Sequence, residues 1–184
     1  LLTGAADVDH DAVLSVSNVS GLVAGVTVSG STLSVDPGNA AFQSLKLGEP
    51  MVIVVSYDVS DEHGATVAQT ATITITGTND APTVAAALNV AAAEDSAGFS
   101  LNLLTGAADV DHDAVLSVSN VSGLVAGVTM TGSTLSVDPG NAAFQSLKLG
   151  EPMVIVVSYD VSDEHGATVA QTATITITGT NDAP

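Results

Sequence analysis

Residues Leu1–Pro82 and Leu103–Pro184 match at 80 of 82 positions at a constant offset of 102; only Val28 against Met130 and Ser29 against Thr131 differ. Whatever this chain folds into, it must build one body twice. The 184 residues therefore divide into two domains of roughly 90 to 100 residues, not one large one. The words GTNDAP close each copy, at Gly77–Pro82 and Gly179–Pro184, and read as seams between units. The interval Thr83–Asn102 (TVAAALNVAAAEDSAGFSLN) has no counterpart ahead of Leu1. The reading is thus a first repeat over 1–80 that lacks its opening 20 residues, a complete second repeat over 81–184, and a linker at 77–82. The chain looks like a piece of a longer one. Without those 20 residues the first unit is expected to expose its core along one sheet, with their equivalents present elsewhere.

Each unit reads as short strands. Thr168–Thr178 (TVAQTATITIT) alternates strictly, Val169, Ala173, Ile175 and Ile177 against Thr172, Thr174 and Thr176, which predicts a half-buried strand. Met153–Val161 is apolar on both faces at first, as in a central strand. Gly98–Leu104, Ala114–Val121, Val125–Thr131 and Thr134–Asp138 follow, with Gly132 turning a hairpin. Asn141–Lys148 places Phe144 and Leu147 at helical spacing and predicts one turn crossing between sheets. Thr83–Ala92 is Ala-rich enough to be helical, but a sandwich of about 100 residues needs roughly seven strands, and this is read as the first. The predicted class is all-β: tandem Ig-like or cadherin-like antiparallel β-sandwiches with Greek-key connections, about seven strands each. If the first strand runs away from the preceding unit, Thr105–Asp113, the Gly132 turn and Ser162–Ala167 share the end at which Asn79-Asp80 arrives.

Charge says what that end does. Twenty Asp and Glu face two Lys and no Arg, a net charge of −18. Nucleic acid and anionic lipid are repelled by such a surface. At 46% hydrophobic residues the chain can nevertheless bury a core. No apolar run is long enough for a membrane helix, and with no Cys there are no disulfides. The acids gather in loops: Asp109, Asp111 and Asp113; Asp160, Asp163 and Glu164; Glu94 and Asp95; and Asp80 of the linker. The first copy repeats them as Asp7, Asp9, Asp11, Asp58, Asp61 and Glu62. Two such loops converging on Asn79 and Asp80 repel one another, about 4 kcal/mol for unit charges some 4 Å apart at an effective dielectric near 20. A hard divalent cation with several oxygen ligands relieves this, and Ca²⁺ tolerates irregular geometry. The central site is predicted to use Asn79, Asp80, Asp109, Asp111, Asp113, Asp160 and Asp163. A second site, at the far end, would join Glu94 and Asp95 to Asn181 and Asp182. Solvated acidic loops are the plain alternative. No EF-hand is present, since the sixth and twelfth positions from Asp109 are Ala114 and Asn120.

Other chemistries fit less well. His112 and His165 among carboxylates could suggest zinc or nickel, but oxygen donors dominate, and exposed loop histidines are the favoured reading. No GxSxG, phosphate-binding glycine loop or aromatic sugar platform appears, so catalysis is not expected. Copying a module does lengthen a rod.

The run AFQSLKLGEP through YDVSDEHGATVAQTATITITGTNDAP resembles the end of a VCBS-type repeat. AEDSAGFSLNLLTGAADVDHDAVLSV resembles the opening of bacterial cadherin-like repeats, and GTNDAP resembles the calcium-binding linker of animal cadherins. The resemblance implies a calcium-stabilised extender from a giant RTX-type adhesin: secreted by the type I route, displayed at the bacterial surface, and active in biofilm formation or attachment. His10 and His112 stand where that family usually has Gly in its DxDGD loop, and Asp163-Glu164-His165-Gly166 departs from its second loop. Neighbouring repeats of the same chain are the expected partners and a monomer the expected state. The rival readings are repeats that themselves grip a receptor, with Tyr57 and Tyr159 the only tyrosines available, and a carbohydrate-binding sandwich.

Overall fold

The computed structural model describes residues 1–182, which form two compact units, Leu1–Thr78 and one beginning at Asn79. Both are built of strands and turns.

The second unit holds β6 (Thr83–Val84), β7 (Leu88–Ala93), β8 (Phe99–Asn102), β9 (Ala107–Ala108), β10 (Ser117–Ser122), β11 (Val128–Thr131), β12 (Thr134–Val137), β13 (Pro152–Ser162) and β14 (Thr168–Thr178). One sheet runs β10-β13-β14-β7 and the facing one β11-β12-β8, while β6 and β9 make a small pair at one end. The chain changes sheet between β8 and β10, between β10 and β11, and between β12 and β13, which is the crossed wiring of a Greek-key sandwich. Seven strands of four residues or more carry it. The inward positions are the odd ones predicted by alternation: Ala173, Ile175 and Ile177 are completely buried, in one core with Val157 of the neighbouring strand and with Leu135 and Phe144.

Three expectations need correction. The sandwich is not wholly antiparallel, because β7 lies parallel to β14, with Leu88 opposite Ala173 and Ala93 opposite Thr178. The predicted first strand Thr83–Ala92 is two strands, interrupted where the Gln171 side-chain amide donates to the carbonyls of Ala85 and Ala86, at 3.3 and 3.4 Å. Asn141–Lys148 makes no helix: the amides of Phe144 and Leu147 reach back three residues, to Asn141 and Phe144, in successive turns. Those turns serve the purpose expected of the helical one, setting Phe144 wholly inside the core.

The first unit holds β1 (Ser15–Ser20), β2 (Val26–Ser29), β3 (Thr32–Val35), β4 (Pro50–Ser60) and β5 (Thr66–Thr76), in sheets β1-β4-β5 and β2-β3. Its fully buried core is small, centred on Val26, Phe42, Ile53 and Val55. Ile73, Ile75 and Leu33, whose copies Ile175, Ile177 and Leu135 are sealed in the second unit, remain half-buried here. Strands equivalent to β7 and β8 are what cover them there, so the sheet does expose core residues along one side.

Candidate metal centre

The site belongs to the second unit and grows from three short segments. Asp109-Val110-Asp111 follows β9, and the Asp111 amide donates to Asp109 Oδ1 at 3.0 Å, an Asx turn that lays the two carboxylates side by side. Asp163 follows β13 and starts the turn back to β14. Its Oδ1 accepts the amides of His165 and Ala167, at 2.8 and 2.9 Å, which fixes the carboxylate and turns Oδ2 outward from the hairpin. The entering chain closes the set. Asn79 Nδ2 donates to Asp163 Oδ2 at 2.8 Å, and the Asp80 amide donates to Asp111 Oδ2 at 3.0 Å.

Burial gives this arrangement its electrostatic character. Asp111 and Asp163 are each only 7% exposed. Asp109 Oδ2 and Asp111 Oδ1 are buried with no hydrogen-bond partner among the described residues. A buried polar atom left unpaired costs about 1–3 kcal/mol, more when charged, so two such oxygens on adjacent carboxylates are a standing electrostatic cost. Burial also works against ionisation of Asp163. The hydrogen bonds from Asn79 and from the amides of Ala167, His165 and Gly166 outweigh it and hold the carboxyl below its ordinary value of 3.8. The site is thus anionic at neutral pH. Among the described residues no three His, Asp or Glu side chains already stand in a finished metal geometry. The available donors are all oxygens: Asp80, Asp109, Asp111, Asp163 and the amide oxygen of Asn79. That set fits calcium better than zinc.

Two residues assigned to this centre from sequence lie elsewhere. Asp160 sits on β13 between inward-facing Tyr159 and Val161, so its side chain emerges on the opposite face. A bulge in β10 puts Asn120 at φ 51° and lets its amide bond Asp160 at 2.7 Å. Asp113 adopts φ 58° at the end of its loop and is exposed. His112 is exposed, and His165 Nδ1 lies 3.7 Å from Glu164.

A second acidic group forms where β7 ends. Glu94 is fully buried; its Oε1 accepts the Thr180 amide at 2.6 Å and the Thr180 hydroxyl at 3.3 Å, while Oε2 has no partner among the described residues. Asp95 Oδ2 accepts the same hydroxyl at 2.6 Å. Asn181 donates to the Asp182 carbonyl at 3.2 Å, and both residues are exposed; the residue that meets Glu94 and Asp95 is Thr180. Sequence reading missed Thr180, although its place just before Asn-Asp in the repeated seam was a visible signal.

In the first unit the same loops are bare. Asp9 still donates to Asp7 at 2.9 Å, and Asp11 lies 2.6 Å from His10, all of them exposed. Asp61 keeps its bonds to the amides of His63 and Ala65, with the Ala65 bond the main cause that lowers its pKa. Asp58 pairs with Asn18 at 2.8 Å, as Asp160 does with Asn120. Among the described residues no Asn-Asp segment is laid across this loop pair.

Among curated proteins none matches the chain. Solved structures do. The crystal structure of human mucin-like protocadherin EC1-2 is similar with a TM-score of 0.55 at 13% identity, covering 91% of this chain and 84% of that one. Mouse cadherin-23 EC22-24 scores 0.48 at 12% identity, covering 90% of this chain and 53% of that one. At 13% identity the first likeness concerns the fold alone, a cadherin-like β-sandwich. The bacterial Ig domain model matches residues 79–178, more than half of the 184 residues and the very span of the sandwich just described, and the chain belongs to that family.

Proposed function

We propose that the chain is a structural module of an extracellular adhesion protein, an extender whose repeats are held by Ca²⁺. The observation that supports calcium is the pair of buried, unpartnered oxygens on Asp109 and Asp111, beside a linker residue that already bonds Asp111 through its amide. Bound there, the cation would neutralise the cluster and clamp Asn79 and Asp80 to their own sandwich, removing freedom from the stretch that follows the first unit. Glu94 and Asp95, joined to the outgoing chain through Thr180, support a second ion-binding position at the other end. The role in this reading is length and stiffness: an eleven-residue strand spans about 36 Å, and each further repeat adds that much plus a linker. A secreted bacterial surface protein of the VCBS or RTX-adhesin type, exported by the type I route and acting in biofilm or attachment, is the setting we favour. The repeats would contact their neighbours in the same chain, and no catalysis is assigned to them.

Thermal unfolding and small-angle scattering with 2-mM-scale Ca²⁺ (roughly the range suited to extracellular modules) and with chelator test this reading. Calcium should raise the melting temperature and lengthen the maximum dimension. Asp111→Asn should abolish most of the response, and an unchanged melting temperature in wild-type protein would refute structural calcium.

A further inference from the structure

On the main sheet of the second unit, the outward side of β14 is a row of threonines, Thr168, Thr172, Thr174, Thr176 and Thr178, broken once by Ala170. Ala170 lies directly opposite Asp160 of β13, and Thr172 opposite Ser158. The small side chain leaves a shallow dip of about 330 Å³, bounded by Asn120, Ser158, Asp160 and Thr172. Asn120 reaches it because β10 bulges: the register shifts between Ser119 and Ser122, and Asn120 turns to φ 51°. Bulges re-aim side chains, and asparagine is among the few residues besides glycine that enter the left-handed region readily. Its amide then donates to Asp160 Oδ2 at 2.7 Å, while Oδ1 has no hydrogen bond among the described residues. The first unit repeats the arrangement, with Asn18 at φ 49° bonding Asp58 beside Ala68 in a dip of about 350 Å³.

The chemistry of this pair selects a ligand. With 20 acids against two lysines, the surface repels anions. An ammonium or guanidinium carries donors only. A guanidinium fork wants both carboxylate oxygens, and here one is taken by an amide whose own hydrogens would meet the cation. A hydroxyl does both things at once, donating to Asp160 Oδ1 and accepting from Asn120 Nδ2. Two adjacent hydroxyls fit the pair better still, with Ser158 and Thr172 able to donate or accept at the rim. We propose that the Asp160–Asn120 dip, and its copy at Asp58–Asn18, bind the vicinal diol of a neutral saccharide. Ala170 and the Thr172 methyl meet the C–H face of the ring. Tyr159, beside the dip, is turned into the core at 2% exposure, so stacking adds nothing. Each dip therefore binds weakly, with a Kd of about 1–10 mM from a few net hydrogen bonds. Grip comes from number, since the same chain offers the dip twice. Neither Asp160 nor Asn120 belongs to the metal centre, so this role does not rest on calcium.

The experiment titrates the isotope-labelled full chain with mannotriose and maltotriose, neutral sugars that between them carry cis and trans diols, and reads backbone amide shifts. Expected is saturable movement at Asn120, Asp160 and Ala170, and at Asn18, Asp58 and Ala68, with at least one of the two sugars. Asp160→Asn should weaken binding to the second unit at least about tenfold, the share of a hydrogen bond to a charged group. The shifts of the first unit should persist in that variant as an internal control. Ala170→Leu, which fills the dip, should do the same, whereas Thr174→Leu, in the same row beyond it, should leave binding intact. The proposal is overturned if neither sugar gives saturable shifts by about 50 mM, several times the weakest Kd expected. It is also overturned if Asp160→Asn and Ala170→Leu bind like wild type, or if N-acetylarginine amide moves these amides at lower concentration than either sugar. The last result would make the dip a seat for a basic side chain.

Discussion

At the scale of single residues, identical side chains behave differently here because their surroundings differ. Asp9 and Asp111 occupy the same place in the repeat, yet one is exposed and the other nearly sealed, because the Asp80 amide lies across only the second. Asp163 carries the clearest consequence. Its carboxyl is held below 3.8, so the ionised form is favoured by the fold. A depressed carboxyl contributes stability that is fully present above its unfolded pKa and is lost as pH falls through the lower folded value. In calcium-free buffer, the second unit should therefore lose stability below about pH 4, as followed by circular dichroism. Asp163→Asn should remove that part of the slope and lower the plateau. The D-x-D spacing and the Asn-Asp seam were legible in the sequence because the turns that carry them are local. The sidedness of Asp160 was not, since it depends on which residues of β13 face the core and on a bulge in the neighbouring strand.

At the scale of elements, strand β14 could be read to the residue because Thr and apolar residues alternate without a break from Thr172 to Thr178. Others could not. Strand β10 starts at Ser117 and not at Ala114, because the Val115 amide is engaged by Glu164 at 2.8 Å. Strand β11 starts at Val128, after a turn closed by the Val128 amide on the Val125 carbonyl. The break between β6 and β7 was hidden by a run of alanines, and parallel pairing with β14 leaves no local signature. The paired copies allow a controlled measurement of what neighbouring strands contribute. Ile177→Ala should cost about 2–5 kcal/mol, the range for a fully buried aliphatic side chain. Ile75→Ala, at the same sequence position but half-exposed, should cost clearly less, by unit-resolved hydrogen exchange in denaturant. Equal costs would show that β7 does not complete the core as described. Glycine 123 marks another constraint: at φ 85°, a Cβ there would stand 2.1 Å from the Val156 carbonyl oxygen, so Gly123→Ala should destabilise the sheet where β10 leaves it.

At the scale of the whole chain, charge dominates. With 20 acids against two lysines, self-repulsion opposes compaction. Monovalent salt should raise the melting temperature gradually over hundreds of millimolar by screening. Calcium should act at about a hundredth of that concentration if specific sites bind it, and magnesium should substitute poorly. Parallel melting curves in the three salts would separate screening from binding.

The parallel seating of β7 on β14 has a mechanical meaning. After the short β6 the chain enters the main sheet of the second sandwich through β7 and leaves it through β14, and the two strands share six consecutive register positions, Leu88–Ala93 with Ala173–Thr178. Tension applied at the two termini therefore slides these strands past each other and loads the rungs together, whereas an antiparallel pair pulled from one end would unzip rung by rung. In single-molecule stretching, the second unit should yield at a distinctly higher force than the same unit with Val90→Pro, which removes a donor from the middle of this pair. A tether that resists flow would have its grip in this pair.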